Sequence, residues 1–129
     1  MVNLGKYVDG FVLVVPKNKT DDYRKMAEEG KNTWMKYGAL EYYECRGDDL
    51  VPKAMGGMKP LAFTKMAKVR PGETVWFSFV VYKSKKHRDE VNKKVMDEMN
   101  EKYKDQKDFA MPFDMKRMAY GGFDVAVEG

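Results

Sequence analysis

Runs of β-branched and aromatic residues predict four strands. Residues 6–15 and 73–82 form two long runs, and the first of them ends at Pro16. Residues 39–46 and 115–126 form two shorter runs. Side chains of these types pack well on a pleated surface, and turn-forming residues bound each run.

Helical spacing of apolar residues predicts two long helices between the strands. The first is expected to begin with a cap at Thr20 or Asp21 and to end at Gly38. Its apolar positions are Tyr23, Met26, Ala27, Gly30, Trp34 and Tyr37. The second is expected to follow a cap at Ser84, and residues 100–108 either extend it or form a short separate helix. Its apolar stripe is Val91, Val95, Met96 and Met99.

The middle of the chain has weaker signals. Residues 50–60 contain two prolines and a pair of glycines, which predicts a surface loop. Residues 61–69 fit a short helix or a short strand equally well.

The order of the predicted elements indicates an α+β fold. Strand, helix, strand, strand, helix, strand is the ferredoxin-like β-α-β-β-α-β arrangement, an antiparallel sheet with both helices on one face. A length of 129 residues suits a single domain spanning residues 1–129.

The two faces of the predicted sheet differ along the first strand. Tyr7, Asp9, Phe11 and Leu13 share one side, and valines at positions 8, 12 and 14 share the other. The valine side suits packing against helices. The opposite side is then a largely apolar face without a cover, which usually marks an interface. We therefore expect a homodimer joined sheet to sheet.

Composition limits the classes of partner. The net charge is +4, but basic and acidic residues are interspersed, which argues against nucleic-acid binding. The longest apolar run, residues 11–15, is far too short to span a membrane. A single cysteine forms no internal disulfide, and no signal peptide is recognisable, so we expect a cytoplasmic protein.

Two opposite charges stand among apolar neighbours on candidate adjacent strands, Asp9 and Arg117. A buried charge is costly unless it is paired, so they predict a polar centre on the open sheet face. Arg117 would anchor a substrate and Asp9 would act as a base, or the two would form a structural salt bridge. The candidate ligand-binding residues on this face are Tyr7, Asp9, Trp76, Ser78, Arg117 and Tyr120.

Other chemistry-bearing residues give weaker signals. His87, in the first turn of the second helix, is a candidate acid or base or a surface residue. Cys45 has no nearby histidine, which favours an inert thiol. Glu44, Asp48 and Asp49 lack the spacing of a cation-binding loop, so we expect neither a metal site nor a cofactor.

Several segments resemble the YbaA-like family of small bacterial proteins of unknown function. They are YVDGF at residues 7–11, ECRGDD at 44–49, VWFS at 75–78, MPFD at 111–114 and YGGF at 120–123. The resemblance covers nearly the whole chain and implies membership of the dimeric α/β-barrel superfamily. That superfamily includes cofactor-free monooxygenases, haem-handling proteins, small isomerases and stress-responsive dimers.

Two hypotheses follow. The first is a homodimer that binds a small apolar or aromatic ligand on the open sheet face, with cofactor-free oxygenase or isomerase chemistry by analogy of fold. The second is a non-catalytic dimeric binding or stress-response protein whose sheet face is the dimer interface.

Overall fold

The computed structural model of the chain describes residues 5–106 and 111–129. The strands are β1 (Tyr7–Pro16), β2 (Glu41–Arg46), β3 (Glu73–Tyr82) and β4 (Ala119–Asp124). The helices are α1 (Thr20–Lys36), the short α2 (Phe63–Met66) and α3 (Lys85–Tyr103). Two 3₁₀ turns, Lys17–Lys19 and Met115–Arg117, precede α1 and β4.

The four strands form one antiparallel sheet in the order β2-β3-β1-β4. Asp9 on β1 lies opposite Val80 on β3 and Gly122 on β4. Strand β2 is one edge of the sheet, and on it Glu44 lies opposite Ser78 of β3. This register decides which side chains share a face.

The helix ends confirm part of the capping prediction. Ser84 precedes α3 and its Oγ accepts a hydrogen bond from the His87 backbone N–H at 3.1 Å. Gly38, with φ +107°, follows α1 in a backbone conformation that favours glycine. The predicted cap at Thr20 or Asp21 was wrong: Thr20 is already helical, and the chain enters α1 through a 3₁₀ turn without a side-chain cap.

The core lies on the opposite side of the sheet from the one expected. Leu13 and Val15 of β1 pack with Tyr23 and Ala27 of α1, and Val80 of β3 packs with residues of α3. The helices therefore cover the side that carries Tyr7 and Asp9. The expectation that the valine side packs against helices was wrong because both sides of β1 and β3 are apolar, and alternation alone does not say which side the helices cover.

The valine side of the sheet has exposed aromatic side chains. Phe77 is 43% exposed, Tyr43 47% and Phe123 60%. The Tyr43 and Phe79 ring centroids are 4.9 Å apart, and those of Phe77 and Phe79 are 5.6 Å apart. We call this side the open face.

The structure decides between the helix and the strand that the sequence allowed for residues 61–69. Within residues 61–69 a single four-residue helix, α2, forms and contacts β3. Gly56 and Gly57, both at positive φ, turn the chain between Met55 and Met58, as a surface loop requires. The closing strand is shorter than predicted because residues 115–117 form the 3₁₀ turn. Residues 107 and 108 of the predicted 100–108 extension lie outside the described residues, and α3 itself ends at Tyr103.

None of the helices in the described part of the chain is long and apolar enough to cross a membrane.

Candidate functional site

The sequence-predicted ligand residues of β1, β3 and β4 do not lie on the open face. Asp9 is 1% exposed, Trp76 4% and Ser78 5%, all beneath the helices. Tyr7 and Tyr120 alternate with open-face residues and surround Arg88 of α3. These residues therefore lie between the sheet and the helices and not on the uncovered face that the sequence had predicted for them.

The predicted pairing of Asp9 with Arg117 was wrong. The Asp9 Oδ1 atom accepts a hydrogen bond from Arg88 Nη1 at 2.9 Å, and its Oδ2 accepts one from Asn92 Nδ2 at 3.3 Å. One turn separates Arg88 from Asn92 on α3, so a single helix face supplies both donors. The sequence indicated a buried charge correctly but assigned it the wrong partner.

The Asp9 cluster extends into a closed network of hydrogen bonds. Asn92 Oδ1 accepts from Trp34 Nε1 and from the Tyr82 hydroxyl, each at 3.0 Å. Burial, and then the negative charge of Asp9, raise the pKa of Tyr82. Tyr82 therefore stays a protonated donor near neutral pH. Apart from Arg88 Nε, which has an ion contact with Asp89 but no hydrogen bond, these polar groups satisfy one another. The network therefore connects α1, α3 and the sheet structurally.

Arg117 belongs to a separate ion pair. Its Nη1 donates to Glu73 Oε2 at 2.7 Å, and its Nη2 donates to Glu73 Oε1 at 2.9 Å and to the Lys68 carbonyl at 2.8 Å. The hydrogen bond from Arg117 lowers the pKa of Glu73 to about 2. Arg117 thus fastens the turn before β4 to the start of β3, away from Asp9.

His87 is engaged with backbone groups. Its Nδ1 accepts a hydrogen bond from the Lys83 N–H at 2.9 Å, and its ring meets Tyr82 edge-on at 6.0 Å. These contacts support the surface alternative that the sequence left open for this residue.

A second polar cluster surrounds Glu44 on the helix-covered side of β2. The Glu44 Oε1 atom accepts a hydrogen bond from the Tyr23 hydroxyl of α1 at 2.7 Å, and its Oε2 accepts one from the Tyr42 hydroxyl at 2.9 Å. Ser78 lies directly across the strand pair. Three hydroxyl groups from three elements therefore converge on one carboxyl group.

The environment of Glu44 shifts its proton affinity. Burial raises the pKa of Glu44, and the hydrogen bonds from Tyr23, Tyr42 and Ser78 offset only part of that rise. Burial and the charge of Glu44 also raise the pKa of both tyrosines, so these remain donors. A carboxyl group with a raised pKa, held in place by donors, is suited to take up and release a proton.

A cavity of about 410 Å³ opens beside Glu44 between α1 and β2. Its volume is in the range of small-molecule sites, about 300–1,000 Å³. The residues that line it are Arg24, Ala27, Glu28, Lys31, Tyr42, Glu44, Arg46 and Trp76. We call this space the edge cavity, because β2 is an edge strand of the sheet.

Trp76, one of the residues that line the edge cavity, has an unsatisfied donor. The buried indole Nε1 of Trp76 has no hydrogen-bond partner among residues 5–106 and 111–129. Such groups are uncommon in buried positions and call for an explanation such as a ligand or an ordered water. Trp76 and Ser78, both predicted as ligand residues, are thus next to the cavity or its carboxyl group.

Sequence reasoning missed Glu44 as a candidate. In the sequence Glu44 stands beside Cys45, in an acidic cluster with Asp48 and Asp49 that lacks the spacing of a cation-binding loop. Cys45 in fact lies exposed on the other side of the strand, and the described residues contain no metal-binding group of His, Cys, Asp and Glu. The available signal was the alternation of Tyr42, Glu44 and Arg46, which share the side of β2 that faces α1.

Comparisons with known proteins match almost the entire chain. The family model described as "Protein of unknown function (DUF1428)" matches residues 6–115. "Uncharacterized protein YbaA" of Escherichia coli strain K12 is 41% identical over 125 residues, covering 95% of this chain and 98% of that protein. The protein of the same name in Shigella flexneri shows the same identity and coverage. The chain therefore belongs to the DUF1428 family of YbaA-like proteins, whose function is unknown.

Proposed function

We propose that this protein is a homodimer that binds a small organic molecule in the edge cavity of each subunit. The observation that carries the proposal is Glu44, a carboxyl group with a raised pKa that is held by Tyr23 and Tyr42 at the wall of that cavity. We further propose a single domain of ferredoxin-like arrangement in the cytoplasm. The observed strand order β2-β3-β1-β4 supports the arrangement.

The chemistry that fits Glu44 is proton transfer without a cofactor. As a carboxylate, Glu44 takes a proton from a carbon next to a carbonyl group, leaving an enolate. The protonated Glu44 then returns that proton to a different carbon or oxygen, so the product is an isomer and no electrons are exchanged. Isomerisation is favoured over cofactor-free oxygenation because it needs only this acceptor and neighbouring donors, whereas oxygenation needs dioxygen as a second reactant.

Asp9, Tyr7, Tyr120 and Arg117 take structural roles in this proposal. The carboxyl group of Asp9 is occupied by Arg88 and Asn92, and the guanidinium group of Arg117 by Glu73. Trp76 and Ser78 remain as proposed site residues because they adjoin the edge cavity and Glu44.

The second hypothesis, a non-catalytic dimer, is favoured by the open face. On this side of the four strands the charged positions are Glu41 and Glu73, both at strand ends, and Glu73 is paired with Arg117. From about 4.8 Å between strands and about 3.3 Å per residue, this side of the sheet has an area of roughly 500 Å². Val14, Val75 and Val81 on this side are already buried within the subunit, so two copies would bury at most about 1,000 Å², the lower limit for a specific interface. A dimer joined there leaves the edge cavity free, so dimer formation and ligand binding are compatible.

Native mass spectrometry of the protein purified from its own host tests the ligand site. Glu28→Trp places a large ring at the exposed rim of the edge cavity, and Asn32→Trp places the same ring on the same helix away from the lining. We expect an additional small mass on wild type and on Asn32→Trp, and its loss from Glu28→Trp. A bound mass that persists in Glu28→Trp, or bare subunits throughout, would contradict the proposed site.

A further inference from the structure

We propose that the edge cavity selects a small organic carboxylate with a flat apolar body. This inference rests on the proposed function, since it names the class of ligand for the same cavity. It depends on the distribution of charge around the lining and on the aromatic wall behind it.

The cavity holds guanidinium groups that are not engaged elsewhere. Arg24 of α1 and Arg46 of β2 both line it, and neither forms an ion pair within residues 5–106 and 111–129. By contrast, Arg88 and Arg117 are both paired with carboxylates. A guanidinium group presents two parallel N–H donors that match a carboxylate or a phosphate. Two such groups, one from α1 and one from β2, line the cavity and are available to bind an anion together, an arrangement that we call the clamp.

The remaining charges favour a ligand with one negative charge. Lys31 also lines the cavity, but it is paired with Glu28. Glu44 adds a second carboxyl group to the wall. Three cations therefore face two acids, an excess of one positive charge when both acids are ionised. A carboxylate matches that excess, whereas a phosphate monoester brings close to two negative charges near Glu28 and Glu44.

The apolar residues that line the cavity indicate the chemical nature of the uncharged part of the ligand. Ala27 and the ring of Trp76 are apolar and buried, and the ring of Tyr42 is half-buried beside them. Flat aromatic surfaces favour a planar or aromatic ligand body. The Trp76 N–H is buried and has no hydrogen-bond partner among the described residues, so it is the ring of Trp76, which lines the cavity, that supports a flat ligand body.

The two tryptophans of the chain provide a reporter and an internal reference. Trp76 borders the cavity with a free indole N–H, and Trp34 has its indole N–H bonded to Asn92. Their two indole signals in a ¹H–¹⁵N spectrum are assigned with a Trp34→Phe variant. The probes are benzoate, phenyl phosphate and benzamide, which share one ring and differ in charge.

We expect benzoate to shift the Trp76 indole signal saturably while the Trp34 signal stays in place. Arg24→Gln and Arg46→Gln should each weaken benzoate binding roughly tenfold, as loss of a charge-assisted hydrogen bond at an exposed site implies. Lys25→Gln is the matched control, because Lys25 neighbours Arg24 on α1 but does not line the edge cavity. It should bind benzoate like the wild type.

Each of the other outcomes contradicts one component of the proposal. Equal binding of benzamide and benzoate keeps the ligand site of the proposed function and overturns the anion selectivity. Tighter binding of phenyl phosphate than of benzoate overturns the carboxylate assignment in favour of a phosphorylated ligand. Benzoate binding that survives both arginine changes overturns the clamp. A Trp76 signal unmoved by all three probes contradicts the proposed ligand site itself.

Discussion

At the scale of single residues, the buried carboxyl group of Asp9 and the half-buried one of Glu44 differ in their partners. The carboxylate of Asp9 is paired with the guanidinium group of Arg88 and accepts a hydrogen bond from the side-chain amide of Asn92. Glu44 accepts hydrogen bonds only from neutral hydroxyl groups, and these bonds offset part of the free-energy cost of burying its charged form. A paired carboxylate stabilises the fold, whereas a carboxyl group solvated by neutral donors keeps a raised pKa and can exchange its proton.

Removal of the Arg88 side chain is expected to destabilise the protein strongly. Arg88→Met leaves the charge of Asp9 buried without its partner, which lowers the free energy of unfolding by about 3 kcal/mol or more. Urea denaturation measures the loss. Lys93→Met, at an exposed position of the same helix, should change it by less than about 0.5 kcal/mol. A double variant, Asp9→Asn with Arg88→Met, should be more stable than Arg88→Met alone, and a further loss would contradict the pairing.

Glu44 is expected to make the free energy of unfolding fall as the pH rises. Its pKa in the folded chain is above the ordinary 4.5, so above pH 4.5 the native state holds a proton that the unfolded chain releases. This contribution is fully present below pH 4.5 and is lost as the pH rises through the raised pKa. Glu44→Gln cannot ionise, so the stability of wild type relative to this variant should decline as the pH rises above about 4.5 and through the raised pKa.

Denaturation at each pH measures that decline, and Glu101→Gln serves as the control. Glu101 is exposed on α3 and remote from the Glu44 cluster. A constant difference between wild type and Glu44→Gln across the pH range would show that burial does not raise the pKa of Glu44.

At the scale of elements, the short edge strand β4 is held by close packing against β1. A methyl group added at Gly122 would overlap the Tyr7 ring, whereas one added at Gly121 would only touch Phe123 at ordinary distance. Tyr7 itself lies against the guanidinium group of Arg88, at 4.8 Å from its ring centroid. The glycine pair in the YGGF segment therefore contains one position that requires glycine and one that tolerates a methyl group.

Gly122→Ala is expected to destabilise the protein by about 1–3 kcal/mol, because the Tyr7 ring must move against Arg88. Gly121→Ala is the matched control and should cost less, since alanine suits a strand at least as well as glycine does. Thermal unfolding of the two variants compares them directly. Equal losses of stability in the two variants would indicate that the Tyr7 ring moves at little cost and that β4 does not depend on this contact.

At the scale of the whole molecule, the sheet separates two surfaces. The side beneath the helices holds both polar clusters and the edge cavity, and the open face holds exposed aromatic rings. From the sequence, ligand and dimer contacts were predicted on the same face. In the proposed function they lie on opposite faces, so a separate variant tests each.

Light scattering is expected to give twice the 15.0 kDa subunit mass at micromolar concentration. Phe77→Lys places a charge in the centre of the open face and should yield monomers, because a buried unpaired charge is costly. Leu61→Lys changes a more exposed apolar residue outside the four strands and should leave the dimer intact. A wild-type mass of one subunit would contradict the dimer proposal.

The sequence alone determined the elements and much of their order. Strand β3 was predicted with the bounds that the structure shows, and the Ser84 cap and the Gly38 terminus were confirmed, because local propensity and capping are properties of short segments. The family resemblance was also confirmed, because it depends only on the order of residues along the chain.

Only the tertiary structure decided which face was covered and which charges met. Strands with apolar residues on both sides do not specify which side the helices cover. Asp9 lies 79 positions before Arg88 along the chain, and Glu44 lies 21 positions after Tyr23, so neither pairing is visible in a local pattern. A buried charge predicts that a partner exists, and the packing of helix against sheet determines which residue it is.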